Sequence, residues 1–150
     1  MSVTLVVPRE YRVVVAVGLS TVFLASYHGF VTSYFRRRAN IRHPQCYADP
    51  KQMSDDINAL KFTCAQRAHQ NMLETLPIIL FGLAWSGLYY PVTTSALGVG
   101  WIISRVIYLK GYTSGTPEKR LPGFQIASTF LFCIVGLGLY SSFKTYFGQW

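Results

Sequence analysis

Three long stretches of this 150-residue chain contain no Asp, Glu, Lys or Arg, and they constrain the fold more than any other feature. Residues 13–35 and 121–143 each give 23 such positions, and residues 75–104 give 30. A helix rises 1.5 Å per residue, so about 20 apolar residues cross the roughly 30 Å hydrocarbon layer of a bilayer. The first and last stretches each make one span. The middle stretch is too long for one and is broken at Tyr89-Tyr90-Pro91, followed by Val92-Thr93-Thr94. That cluster reads as a tight turn at the far interface, with Trp85, Tyr89 and Tyr90 as an aromatic belt. The pattern predicts an all-α integral membrane four-helix bundle of up-down topology, a single domain with spans at about 10–36, 60–90, 93–113 and 122–146. The first apolar run exceeds the roughly 7–15 residues of a signal-peptide core, so it is expected to be retained as a span.

Composition narrows the function. Charged residues make up 13% of the chain, against about 25% in soluble domains. With 15% aromatic residues the chain would collapse, which excludes disorder. Three cysteines without paired spacing exclude a disulfide scaffold and offer no metal-ligand pattern. No glycine-rich phosphate loop is present. A net charge of +8 would suggest nucleic acid in a soluble protein. Here the charges cluster at span ends, so the expected partner is the lipid bilayer and not nucleic acid. Nine of the 14 basic residues (Arg36, Arg37, Arg38, Arg42, Lys51, Lys61, Lys110, Lys119 and Arg120) fall in the first and third connections or at the span ends beside them. By the positive-inside rule that side faces the cytosol.

Two polar stripes then converge. Counted back from Pro91, Glu74 and Asn71 lie roughly 25 and 30 Å from the turn; counted forward, Arg105, Tyr108 and Tyr112 lie roughly 20, 24 and 30 Å from it. Arg67, Asn71 and Glu74 follow i, i+4, i+7, and Arg105, Tyr108 and Tyr112 follow i, i+3, i+7, so each set occupies one helix face. An ionised side chain in mid-span costs about 2.5–3.5 kcal/mol on insertion scales. Glu74 and Arg105 therefore each require a partner or a wet cavity, and a Glu74–Arg105 lock between neighbouring helices is one arrangement that satisfies both. Counted with Arg37, Arg38, Arg67 and Arg120, however, one carboxylate leaves excess positive charge, which suits an anionic ligand. Glutathione, with two carboxylates, one ammonium and a thiol, fits; by charge alone, so does a phospholipid headgroup or a nucleotide.

The wording of two segments is more specific. FTCAQRAHQNMLETLP at residues 62–77 and SRVIYLKGYTSGTPEKR at residues 104–120, together with the RRRANIRHP segment and the order of the four spans, closely resemble the membrane-associated proteins in eicosanoid and glutathione metabolism. The resemblance implies a homotrimer that binds glutathione as co-substrate at subunit interfaces near the cytosolic face, with no metal. It implies a glutathione transferase acting on lipophilic electrophiles, with lipid hydroperoxide reduction or leukotriene synthesis as related activities. By motif matching it assigns glutathione contacts to Arg37, Arg67, Asn71, Glu74, Tyr108 and Tyr112, and thiol activation to Arg120 with Lys119 as the neighbouring alternative. It places Arg38 in the catalytic set, at a basic position used on the lipid side by leukotriene-forming members. His69 and Thr75 depart from those members, which carry glutamine and tyrosine there. The implied location is the endoplasmic reticulum membrane, with the nuclear envelope and outer mitochondrial membrane as further sites.

The chemistry asked of Arg120 follows from charge. A thiol with pKa near 8.5 is only a few per cent thiolate at neutral pH, and the thiolate is the nucleophile. A guanidinium in hydrogen-bond reach favours the anion and does not lose its own proton. A depression of about two units, roughly 2.7 kcal/mol, leaves the thiol mostly ionised at pH 7. Two other classes fit four spans. A non-catalytic lipid-presenting protein of the same fold would dispense with the activating arginine. A small transporter would require a polar path through the full thickness, which residues 75–90 and 123–143 do not supply.

Overall fold

A computed structural model describes residues 7–147. They form α1 (Tyr11–Arg38), α2 (Pro50–Asp55), α3 (Ile57–Tyr89), α4 (Pro91–Tyr112) and α5 (Leu121–Tyr146), the last entered through a 3₁₀ turn at Pro117–Arg120. The four long helices are each long and apolar enough to cross a membrane. α3 and α4 form the inner pair, and α1 and α5 each pack against both. Contacts at the helix ends define the up-down order. Arg36, in the last turn of α1, places its guanidinium 4.4 Å from the ring centre of Phe62 near the start of α3. At the other end Tyr11 donates to the Ala84 carbonyl at 3.1 Å, and Trp85 Nε1 donates to Ser142 Oγ of α5 at 2.7 Å.

Polarity is distributed as lipid demands. Phe23, Phe30, Phe81 and Phe132 stand outward, each 70% exposed or more, while Thr21, Ser86, Thr94, Ser104 and Ser141 are buried. With no water to satisfy them, four of these five hydroxyls find carbonyls inside the bundle, while Thr94 Oγ1 has no hydrogen-bond partner among the described residues. Thr21, Ser104 and Ser141 donate to Gly18, Trp101 and Leu137 of their own helices, each at 2.7 Å. Ser86 donates across to the Ile134 carbonyl at 3.1 Å and so ties α3 to α5. Around these bonds pack Met72, Ile79, Leu83, Trp101 and Ile134.

Several boundaries differ from the sequence reading. α3 starts at Ile57 instead of about 60 because the Asp56 side chain accepts from the Asn58 N–H at 2.8 Å, capping the helix. The break before α4 is Tyr90 alone (φ −130°, ψ 61°), and the helix resumes at Pro91. Proline suits the first helical position, where its missing N–H has no intrahelical acceptor to serve, so Val92, Thr93 and Thr94 are helical and not part of a turn. α2 went unread although its signal is present: Pro50 follows the Asp49 cap, and the Asp49 N–H donates to Gln52 Oε1 at 2.8 Å.

Two connections deliver side chains to one end of the bundle. The segment after α1 is pinned by Arg36 Nη1 donating to the Gln45 carbonyl at 2.7 Å and by the Ala48 N–H donating to Thr63 Oγ1 at 3.1 Å. This lays Tyr47 over α3, where its hydroxyl donates to Gln70 Oε1. The α4–α5 connection is held by two backbone approaches. A Cβ on Gly123 would lie 2.4 Å from Tyr108 N, and one on Gly111 would lie 2.2 Å from the Lys119 carbonyl oxygen. A Cβ on Gly98, Gly100 or Gly138 would press on neighbouring side chains, whereas one on Gly136 would meet nothing within 4 Å among the described residues.

Gly123→Ala forces the start of α5 off α4, because backbone atoms cannot rotate aside. We expect a loss of about 1–3 kcal/mol, read as a lower unfolding temperature of the purified protein in detergent. Arg36→Ala removes a charge-assisted hydrogen bond and a ring contact, together about 1–3 kcal/mol. Limited proteolysis should then cut within residues 39–49 faster than in the wild type.

Candidate functional site: a basic cleft between α3, α4 and α5

The helix pair and the two connections enclose a cleft of about 590 Å³, within the range of small-ligand sites. α3 contributes Arg67, Gln70, Asn71 and Glu74; α4 contributes Tyr108 and Tyr112; the 3₁₀ turn and α5 contribute Arg120, Leu121 and Phe124; Tyr47 closes the rim. The α3 residues share a face because positions three, four and seven apart stack along a helix. Tyr108 and Tyr112 meet edge to face with ring centres 5.6 Å apart, and Phe124 lies 6.3 Å from Tyr108. The Arg120 guanidinium sits 4.6 Å from the Tyr112 ring centre. Cation–π contacts of this kind contribute about 0.5–2 kcal/mol and fix the direction in which the charge points. Arg120 is also the residue immediately preceding α5, so the positive end of a 26-residue helix adds to its field.

Two guanidiniums and one carboxylate line the cleft, and a third cation stands behind it. Arg105 is 2% exposed, donates from Nη2 to Asn71 Oδ1 at 3.1 Å, and lies 4.8 Å from the Tyr108 ring centre and 5.7 Å from that of Trp101. The lock between Glu74 and Arg105 that the sequence allowed does not form: Arg105 takes Asn71 as its acceptor, and Glu74 is exposed on the cleft wall. By residue count Arg105 lies about 9 Å nearer the far turn than Asn71. Its long side chain covers that offset by reaching toward the basic end, as buried arginines in spans do. His28 and His69, with ring centres 6.1 Å apart, pack away from the cleft.

Of the site residues read from sequence, Arg67, Asn71, Glu74, Tyr108, Tyr112 and Arg120 come together around this cleft. Arg37 and Arg38 do not. They occupy the exposed last turn of α1, with Arg38 stacked 5.0 Å from the ring centre of its own helix's Tyr34. Of the adjacent pair at the α5 entry, Arg120 lines the cleft and Lys119 points elsewhere, exposed. Four lining residues, Tyr47, Gln70, Leu121 and Phe124, were missed. Gln70 is three residues from Arg67 and Phe124 four from Arg120, so helical spacing could have found both. Tyr47 had no such signal, because its placement depends on how the connection folds. As it stands, the cleft suits a small polar ligand with more negative than positive groups, bordered on the α5 side by the exposed apolar surfaces of Leu121 and Phe124.

Residues 14–140 match the MAPEG family, the membrane-associated proteins in eicosanoid and glutathione metabolism. Microsomal glutathione S-transferase 2 of mouse (Mus musculus) is 35% identical over 88 residues, which cover 56% of this chain and 59% of that protein. The match therefore spans somewhat more than half the length of that relative. A family match across most of the chain, on four helices able to cross a bilayer, makes this a multi-pass membrane protein that belongs to the MAPEG family.

Proposed function

We propose that the protein is a membrane-bound glutathione transferase, with glutathione as co-substrate seated in the cleft. The observation that carries this reading is the position of Arg120, on the cleft wall, stacked on Tyr112 and at the start of α5. Glu74 takes the α-ammonium, Arg67 a carboxylate, and Asn71, Tyr108 and Tyr112 line the peptide. The thiol lies against Arg120, whose guanidinium and helix end both favour the anion. Its proton leaves to solvent. The thiolate then attacks an electrophilic carbon, forming the carbon–sulfur bond as the leaving group departs with its electron pair, or as an epoxide opens. With a lipid hydroperoxide the thiolate attacks the peroxy oxygen, and a second glutathione reduces the resulting sulfenic adduct to give disulfide, alcohol and water. The motif wording resembles microsomal glutathione S-transferase 3, and the name of the mouse relative supports the transferase reading. Leukotriene synthesis draws on the same thiolate. The lipophilic partner enters from the bilayer past Leu121 and Phe124.

Arg37 and Arg38 are brought into the same reading by a homotrimer. α1 does not border the cleft of its own chain, and Arg67, Gln70 and Glu74 are exposed on the open side. A neighbouring copy that lays the basic end of its α1 there adds the missing cations. The cleft then lies at the basic, cytosol-facing end, in the endoplasmic reticulum membrane by likeness to microsomal members.

Arg120→Ala should abolish the ultraviolet thiolate absorbance that appears when glutathione binds. It should lower conjugation of 1-chloro-2,4-dinitrobenzene at least about tenfold while binding changes less. Unchanged absorbance and rate would show that Arg120 does not activate the thiol. Mixing Arg37→Ala and Arg120→Ala subunits at random should restore about a quarter of wild-type sites if each is shared between neighbours in a closed ring. No recovery would place both residues in one chain's site.

A further inference from the structure

Arg105 does more than neutralise a hole in the bundle. It lies on α4 behind the cleft wall and is 2% exposed; of its side-chain nitrogens, Nη2 bonds to Asn71 Oδ1 at 3.1 Å and Nε has no partner. The nearby His28 ring, fully buried, accepts nothing from it, since neither of its nitrogens has a hydrogen-bond partner. Asn71 is therefore the one side-chain acceptor that Arg105 holds among the described residues. The consequence for Asn71 is chemical. An asparagine amide has one accepting end and one donating end, whereas a guanidinium carries donors alone and keeps its proton at every accessible pH. Whichever way a free amide would settle, the end that faces Arg105 has to be the oxygen, because the reverse would set donors against donors in a dry interior. Asn71 also lines the cleft, and its Nδ2 has no partner among the described residues. That NH₂ is the end left for the ligand.

We infer that Arg105 is a positioning residue that locks the Asn71 amide with its donor toward the cleft, so that this wall selects a ligand group that accepts hydrogen bonds, a carboxylate or a peptide carbonyl, and disfavours one that donates. The inference rests on the glutathione reading above and deepens it. It assigns to α4 a part in ligand recognition that no residue touching the ligand discloses. It also explains why an arginine is held this deep with one acceptor: a neutral residue of similar shape would fill the space but leave the amide free to turn.

The test measures glutathione binding by calorimetry on the purified full-length protein, with oligomeric state and unfolding temperature followed in parallel. Asn71→Asp keeps an oxygen for Arg105 and strengthens that contact, yet removes both donors from the cleft. It should fold at least as stably as the wild type and bind glutathione at least about tenfold more weakly. Arg105→Met frees the amide and should weaken binding about three- to tenfold, and Arg105→Lys, also donor-only, should recover most of that loss. In an Asn71→Ala background Arg105→Met should change binding no further, because the residue acts through Asn71. The inference is overturned if folded Asn71→Asp binds as the wild type does, or if the Arg105→Met and Asn71→Ala effects simply add. Should Arg105→Met fail to fold, the Lys and Asp variants decide the question alone. Absence of glutathione binding by the wild type would overturn the transferase reading instead, which keeps the two failures distinct.

Discussion

In the hydrocarbon layer a polar group has no water to fall back on, and this structure is organised around that fact. The hydroxyls of Thr21, Ser86, Ser104 and Ser141 return to carbonyls inside the bundle, and the rings of Phe23, Phe30, Phe81 and Phe132 are turned out. Arg105, a buried guanidinium, reaches along its helix to Asn71 Oδ1. Exclusion of water also gives the cleft its character. Charges at the edge of a low-dielectric slab interact more strongly than the same charges on a soluble surface, so the net positive lining of two arginines and one carboxylate is screened less than it would be there.

The two sides of the cleft are built differently. α3 and α4 are joined by Tyr90 alone, so Arg67, Asn71, Glu74, Tyr108 and Tyr112 come from a hairpin with little slack. Arg120 arrives by a separate connection, seated through backbone approaches at Gly111 and Gly123. Close packing there aims its charge. The ring of Tyr112 belongs to both sides, since it lines the cleft from α4 and carries the Arg120 guanidinium.

Much of this was legible from residue order. Spans follow from runs of uncharged residues, and a stripe such as Arg67–Asn71–Glu74 follows from helical periodicity, both local properties of the chain. What escaped was set by three-dimensional detail. The partner of Arg105 depends on how far a flexible side chain bends along its helix, which spacing does not encode, so the sequence pointed to Glu74 where the structure has Asn71. Tyr47 sits at the rim because Arg36 and Thr63 capture the loop that bears it. Gly123 looked like one more small residue in an apolar run, and only its approach to the Tyr108 backbone reveals its purpose. The helical turn at Pro91 was missed for a different reason: its signal is local, but it was outweighed by a reading of proline as a breaker.

The separation of the Arg120 turn from the α3–α4 hairpin has an evolutionary corollary. On the transferase reading proposed above, changes confined to residues 113–123 would move the Arg120 cation by fractions of an ångström, and so retune sulfur acidity, while the α3–α4 wall of the cleft stays intact. Affinity and reactivity would then sit on different stretches of polypeptide. Descendants of such a chain are free to explore new chemistry without first relearning how to hold their reagent.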